Sequence, residues 1–311
     1  MKKTLFYALA LLAFFSACQD NSSSVLDLQN EISSSADGSS IPRKLEFPSS
    51  SSRPPVVYDE DPKFACSDST RIFGEITDAR DGHVYKTVKI GDQVWMASNL
   101  RTTHLNDSVI IPMGSVPGGS RTEPYRYAPN NNEANVSAFG YLYNWPAMMN
   151  GGNSSASNPS MVQGICPKGW HVPSMAEWTQ LVEYCANHNE LSCDGDPLHI
   201  AKALSSNHDW RQSPNTCAVG NNAVTNNFTG FNAVPAGHYD GSDFTWTDTH
   251  WTHPTMGDLA QFWSASATSE NAAHWTGMSF QDPIISGYSS LPFNGYSTYK
   301  SYAFSVRCVR D

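Results

Sequence analysis

The chain has 311 residues, 19 basic side chains against 29 acidic ones, and a formal net charge of −10. That sign repels a phosphate backbone, so nucleic acid is not an expected partner. Hydrophobic residues at 40% suffice for a real core, and a length beyond the usual single-domain mode points to one large domain plus a tail.

Residues 1–17 read as a signal peptide. Lys2 and Lys3 give the positive start, and residues 5–15 form an apolar run too short for a permanent span. Phe15-Ser16-Ala17-Cys18 resembles a bacterial lipobox, which makes Cys18 the expected lipidated residue. Gln19 after it lacks the Asp of an inner-membrane retention signal, so the expected location is the outer membrane or cell surface. Residues 18–65 form a Ser/Pro-rich tether that buries too little apolar surface to offset the entropy of ordering. As a random coil its ends would lie on the order of 40 Å apart.

The domain is expected over residues 66–311. Alternation and Gly-containing turns predict strands over residues 72–77, 84–90 and 93–96. Residues 101–138 have little periodicity, and a short helix follows from Pro146. In Gly169-Trp170-His171-Val172-Pro173-Ser174-Met175-Ala176-Glu177-Trp178, Ser174 and Glu177 stand at capping-box spacing. Trp178, Leu181, Val182 and Cys185 then recur on one helical face. Asp196 and Pro197 read as N-cap and first residue of a second helix through Leu204. Beyond Trp210 the expected strands are 231–236, 261–265, 274–280 and 302–309, which gives an α+β class with two main helices and long loops.

The stretch 169–178, with Cys166 before it, resembles the centre of the Fibrobacter succinogenes major paralogous domain (FISUMP). Four further stretches match in family order. They are Thr77-Asp78-Ala79-Arg80-Asp81-Gly82 running on to Asn99-Leu100; Phe139-Gly140-Tyr141-Leu142-Tyr143-Asn144-Trp145; Gly230-Phe231-Asn232-Ala233-Val234-Pro235-Ala236-Gly237; and Phe262-Trp263-Ser264-Ala265-Ser266 with the strand bearing Cys308. The helix start and the closing Arg-Cys strand are also similar to formylglycine-generating-enzyme-like domains, which implies a C-type-lectin-like fold. The resemblance implies a Cys166–Cys308 disulfide. Cys66, Cys185, Cys193 and Cys217 leave three pairings open, one of them a local Cys185–Cys193 bridge with Cys66–Cys217.

Catalytic signals are weak. The capping box accounts for Glu177, and the segment around residues 262–280 lacks the paired cysteines of the formylglycine-generating enzymes. Asp78 and Asp81 stand beside a hairpin turn, where Asp commonly makes local hydrogen bonds. Asp194-Gly195-Asp196 and Asp240-Gly241-Ser242-Asp243 are the loops that would take calcium, without the fixed ligand offsets of an EF-hand. His250 and His253 near Asp248 lack a third zinc ligand. No catalytic residue, cofactor or resident metal is therefore expected.

Trp95, Trp145, Trp170, Trp178 and Trp263 are expected in the core. Trp246 and Trp251, in a polar Gly-flanked loop, are candidate ligand contacts together with Tyr239 and Asp248. The expected function is a surface-tethered, non-enzymatic adhesion module for plant cell-wall polysaccharide. The alternatives are an envelope enzyme on the formylglycine-generating-like scaffold and a structural subunit that binds another surface protein.

Overall fold

The computed structural model describes residues 72–114, 119–240, 256–287 and 295–310. The chain divides at Asp68–Ser69, and every described residue belongs to the C-terminal unit. The leader, Cys18, the tether and Cys66 lie outside the described residues, as do Asp243, Trp246, Asp248, His250, Trp251 and His253.

In chain order the strands are β1 (Ile72–Thr77), β2 (Val84–Ile90), β3 (Gln93–Met96), β4 (Arg126–Tyr127), β5 (Leu142–Asn144), β6 (Leu259–Ala267), β7 (Ala272–Ser279), β8 (Tyr296–Tyr299), β9 (Ala303–Phe304) and β10 (Val309–Arg310). The helices are α1 (Val136–Phe139), α2 (Trp145–Met149), α3 (Met175–Ala186) and α4 (Ala201–Leu204). The result is a mixed α and β unit with few helices and three small antiparallel sheets, β1-β2-β3-β10, β4-β5-β9 and β6-β7-β8.

The first three strands have the boundaries that the alternation predicts. Tyr85 and Thr87 are buried on one face of β2, Val88 and Ile90 on the other, so this strand contributes to two cores. Gly91 turns β2 into β3 at φ 58, and a Cβ there would lie 2.8 Å from the Tyr184 ring. β10 closes the sheet by setting Val309 opposite Trp95.

α3 begins as its capping box predicts. Ser174 Oγ accepts from the Glu177 amide at 3.2 Å, and Glu177 Oε2 accepts from the Ser174 amide at 2.9 Å. Trp178 packs 4.7 Å from Trp95 and 5.6 Å from Phe262, and Phe231 meets Trp95 edge-on at 5.7 Å. Full burial of such rings contributes about 1.5–3 kcal/mol each. The second core holds Tyr143, Trp145, Trp170, Trp263 and Phe304, so all five tryptophans expected inside are buried.

Arg307 is buried to 1% between the cores. Its Nε donates to Asn99 Oδ1, Nη1 to the Met96 and Phe231 carbonyls, and Nη2 to the Asn232 carbonyl, at 2.6–2.8 Å. The Phe231 ring lies 4.7 Å from the guanidinium. Among the described residues no carboxylate pairs with it. Burial pushes its pKa down to about 9, so it is charged at neutral pH.

Cys166 and Cys308 are disulfide-bonded, with Cα atoms 5.8 Å apart. Of the three pairings left open, the structure forms Cys193–Cys217, which excludes the local Cys185–Cys193 bridge and Cys66–Cys217, and Cys185 is a free buried thiol among the described residues. Cys185 lies on the apolar face of α3, buried in the same core as Trp178, Leu181 and Val182. The second helix is also shorter than expected. Asp196 Oδ1 accepts from the Leu198 amide, an Asx turn, and α4 starts only at Ala201. Segment 231–236 makes a single bridge, Ala233 to Ser205, and not a strand. Segment 302–309 is divided between β9 and β10.

Candidate functional site

Asn144 ends β5 and caps α2. Its Oδ1 accepts from the Ala147 amide at 3.2 Å and from the Tyr125 amide at 2.8 Å. Its Nδ2 donates to the Ser120 and Glu123 carbonyls at 3.0 and 2.8 Å. One buried amide therefore fixes the 120–125 segment against α2. The helix ends at Asn150, φ 47, followed by Gly151 at φ 76. Glycine carries the second left-handed position without a Cβ penalty.

Beyond that turn, residues 154 and 155 lie along β6. Ser155 N bonds the Ala265 carbonyl, Ala267 N bonds Ser154 Oγ, and Ser266 Oγ donates to the Ser155 carbonyl at 2.7 Å. The chain then returns through Ser160, whose amide donates to Glu177 Oε2 at 3.0 Å and whose hydroxyl donates to the Val172 carbonyl at 2.6 Å. Ile165 N bonds the Met148 carbonyl, and Asn106 Nδ2 reaches the Gly164 carbonyl. Glu177 thus caps α3 and also holds this returning wall.

Two adjoining depressions result. The larger, about 670 Å³, is lined by Asn106, residues 149–155 and residues 160–164. The smaller, about 290 Å³, is lined by Leu105, Arg121, Thr122, Pro124, Trp145, Pro146, residues 149–152 and Lys300. Residues 149–152 form the ridge common to both. Among the described residues, the larger is lined by no acidic, basic or histidine side chain. Its polar surface is amide, hydroxyl and backbone, and Met161 stands 81% exposed at its rim. The Asn150 and Asn153 side-chain amides make no hydrogen bond to the described residues, so both can bond a solute.

The model of the Fibrobacter succinogenes major domain matches residues 88–310. The chain belongs to this family. No curated protein and no solved structure matches it. Within the Fibrobacter major domain the matched span includes both depressions, α3 and both disulfides, while β1 lies before it.

Of the candidate ligand contacts in this family member, only Tyr239 is described. It stacks on Tyr127 at 4.0 Å, bridges Ala303 through its backbone, and lines neither depression. Glu177 is fully buried, its Oε1 taken by His171 Nε2 and its Oε2 by the two amides. Asp78 forms a bidentate pair with Arg80 at 2.9 and 2.6 Å, and that arginine continues to the His104 carbonyl and Asn106 Oδ1. The pair braces the wall near the larger depression and offers no cation site. Asp81 pairs with His83.

The 194–196 loop does not fit calcium. His199 Nδ1 sits 2.9 Å from Asp194 Oδ2, and its Nε2 lies 3.9 Å from Asp196 Oδ2. The His199 hydrogen bond holds the Asp194 carboxyl below its usual range. The third member of the cluster, Cys217, is committed to its disulfide. Two exposed carboxylates, an imidazole and a bridged sulfur do not make the six to eight oxygens that calcium takes.

The sequence reading missed Asn144, Asn150, Asn153, Arg121 and Lys300 as site residues. The available signal was the Asn144-Trp145-Pro146 cap and the Asn150-Gly151 turn; nothing in sequence linked them to Arg121 or Lys300.

Proposed function

We propose that the domain is a non-enzymatic binding module for plant cell-wall polysaccharide, and that the two adjoining depressions receive the glycan. The observation that carries this reading is the larger cleft: open, lined by amides, hydroxyls and glycine backbone, with no titratable side chain among the described residues. Sugar hydroxyls are matched by such neutral donors and acceptors, whereas acid–base or nucleophilic catalysis needs a titratable group in reach of the substrate. The enzyme alternative has less support, because the paired groups nearest the cleft, Glu177 with His171 and Asp78 with Arg80, are saturated by structural bonds. The loop bearing Trp246, Asp248 and Trp251 stays part of the proposal as a second contact surface.

The finer fold reading, C-type-lectin-like, is supported by the closing β10–β3 pair, the Cys166–Cys308 tie and the long ordered loops around one capped helix. A lipid on Cys18 and the Ser/Pro-rich tether would hold the domain at the outer membrane or cell surface. Loss of fatty-acid labelling in Cys18→Ser tests the anchor, and equal labelling would refute it.

The binding reading is tested by retention of the full-length chain on insoluble xylan, cellulose and pectin. Asn150→Gly, which keeps the left-handed turn, combined with Asn153→Ala should reduce retention at least tenfold while leaving the melting temperature within a degree or two. Retention on none of the glycans, with a protein partner captured stoichiometrically instead, would favour the structural-subunit alternative.

A further inference from the structure

Among the described residues, the smaller depression carries two cations and no acidic side chain, in a chain whose formal net charge is −10. Lys300 is only 8% exposed, and its ammonium lies 4.1 Å from the centroid of the Trp145 ring, which lines the same depression. The ring cannot turn away, because its indole N–H donates to the Ser264 carbonyl at 3.1 Å. Among the described residues no oxygen accepts a hydrogen bond from this ammonium, and no carboxylate forms an ion pair with it. Burial pushes its pKa down, an effect that the field of Glu270 partly offsets.

A desolvated ammonium needs acceptors to replace its lost water, and a ring face supplies only part of that. Across the depression Arg121 lays its guanidinium 4.5 Å over the Tyr299 ring, which leaves the edge of the fork available. A guanidinium fork fits a carboxylate through two parallel hydrogen bonds, and an ammonium beside it adds a point charge.

The depression shares the Met149–Gly152 ridge with the neutral, amide-lined cleft. An occupant of both therefore needs a carboxylate at one end and uncharged hydroxyls along the rest. We propose that Arg121 and Lys300 form a subsite for the carboxylate of a uronic acid residue, so that the domain selects acidic polysaccharides. This rests on the polysaccharide reading above. An acidic peptide has the charge but offers few hydroxyls to the neutral cleft.

The test compares the full-length wild-type chain, Arg121→Gln and Lys300→Met, using polygalacturonate, fully methyl-esterified polygalacturonate, neutral xylan and polyglutamate as probes, at low and high salt. Wild type should bind polygalacturonate at least tenfold more tightly than its methyl ester. Each variant should lose about tenfold for the acid form alone, in keeping with one charged hydrogen bond. High salt should narrow the preference. Equal affinity for acid and ester, or variants that bind the acid form as wild type does, would overturn the subsite; continued xylan binding would then leave the neutral cleft reading standing. No glycan bound by wild type would overturn both. Polyglutamate bound as tightly as polygalacturonate would overturn the sugar assignment. Arg121 is exposed and Arg121→Gln leaves the core intact, so this variant decides the matter even where Lys300→Met fails to fold.

Discussion

Arg307→Met tests the organisation of the interior. The native guanidinium satisfies Asn99 Oδ1 and three carbonyls, from Met96, Phe231 and Asn232. Methionine fills much of the same volume and donates nothing. Each stranded buried acceptor costs about 1–3 kcal/mol. Against this, the desolvation of a buried cation is relieved, so the four losses are not realised in full. Removal of one side of a buried charged network typically leaves a net loss of about 3–5 kcal/mol. With a urea m-value of about 2–3 kcal/mol/M, the unfolding midpoint should fall by roughly 1–2 M at unchanged m. Arg307→Lys keeps the charge, but a single ammonium cannot span four acceptors spread over two chain segments, so about half that loss is expected. Asn99→Ala touches the same network, and the double variant should lose less than the two single losses combined. Urea titration of the purified domain is the assay. A midpoint shift under about 0.3 M for Arg307→Met would show that the carbonyl cage closes without its cation.

Glu177→Ala strands two buried amides and should cost about 3–5 kcal/mol, whereas Glu177→Gln keeps an oxygen for both amides, offers its NH₂ to His171 and should cost only about 1 kcal/mol; equal thermal losses would refute the bonding scheme. The Cys166–Cys308 bridge closes a span of 142 residues, for which loop entropy gives about 5 kcal/mol, so the double Ala variant should melt well below wild type, and a different Cys308 partner on non-reducing peptide mapping would refute the assignment. Alkaline pH should destabilise the domain. Burial raises Tyr302 and Cys185 to about 12 from 10.0 and 9.0, and raises Tyr85 and Tyr127 as well. These acids keep protons in the folded state that the unfolded chain has already released, so their stabilisation is complete below pH 9 and is lost as pH rises through the folded values. Burial raises Tyr141 and Tyr143 too, while the lowered cations Arg307, Lys202 and Lys300 have the opposite sign, three groups against six. A urea midpoint that does not fall between pH 8 and 10.5 would contradict this.

Much of the fold was legible because local chemistry and packing agree. Period-two alternation between Gly turns set the limits of β1 to β3, and the Ser174–Glu177 spacing set the start of α3. The second helix was misread because Asp196-Pro197 serves an Asx turn as readily as a helix cap, and only tertiary contacts choose between them. Spacing leaves the partner of Cys193 open, although one signal tells against the local bridge: the same periodicity that buries Trp178 and Leu181 places Cys185 on the core face. The clefts left little trace. Their walls come from residues 105, 121, 150, 163 and 300, and polar loop residues carry no periodicity that would reveal their convergence.

The placement of Arg307, Cys308 and β10 sets an order on folding. A chain delivered N-terminus first releases these residues only after nearly all the rest of the domain has emerged. Until then the inner carbonyls lack their cation, Cys166 lacks its partner and β3 has an open edge. The interior therefore closes only once the last strand is in place, and the order of emergence makes folding of this domain a late, concerted event.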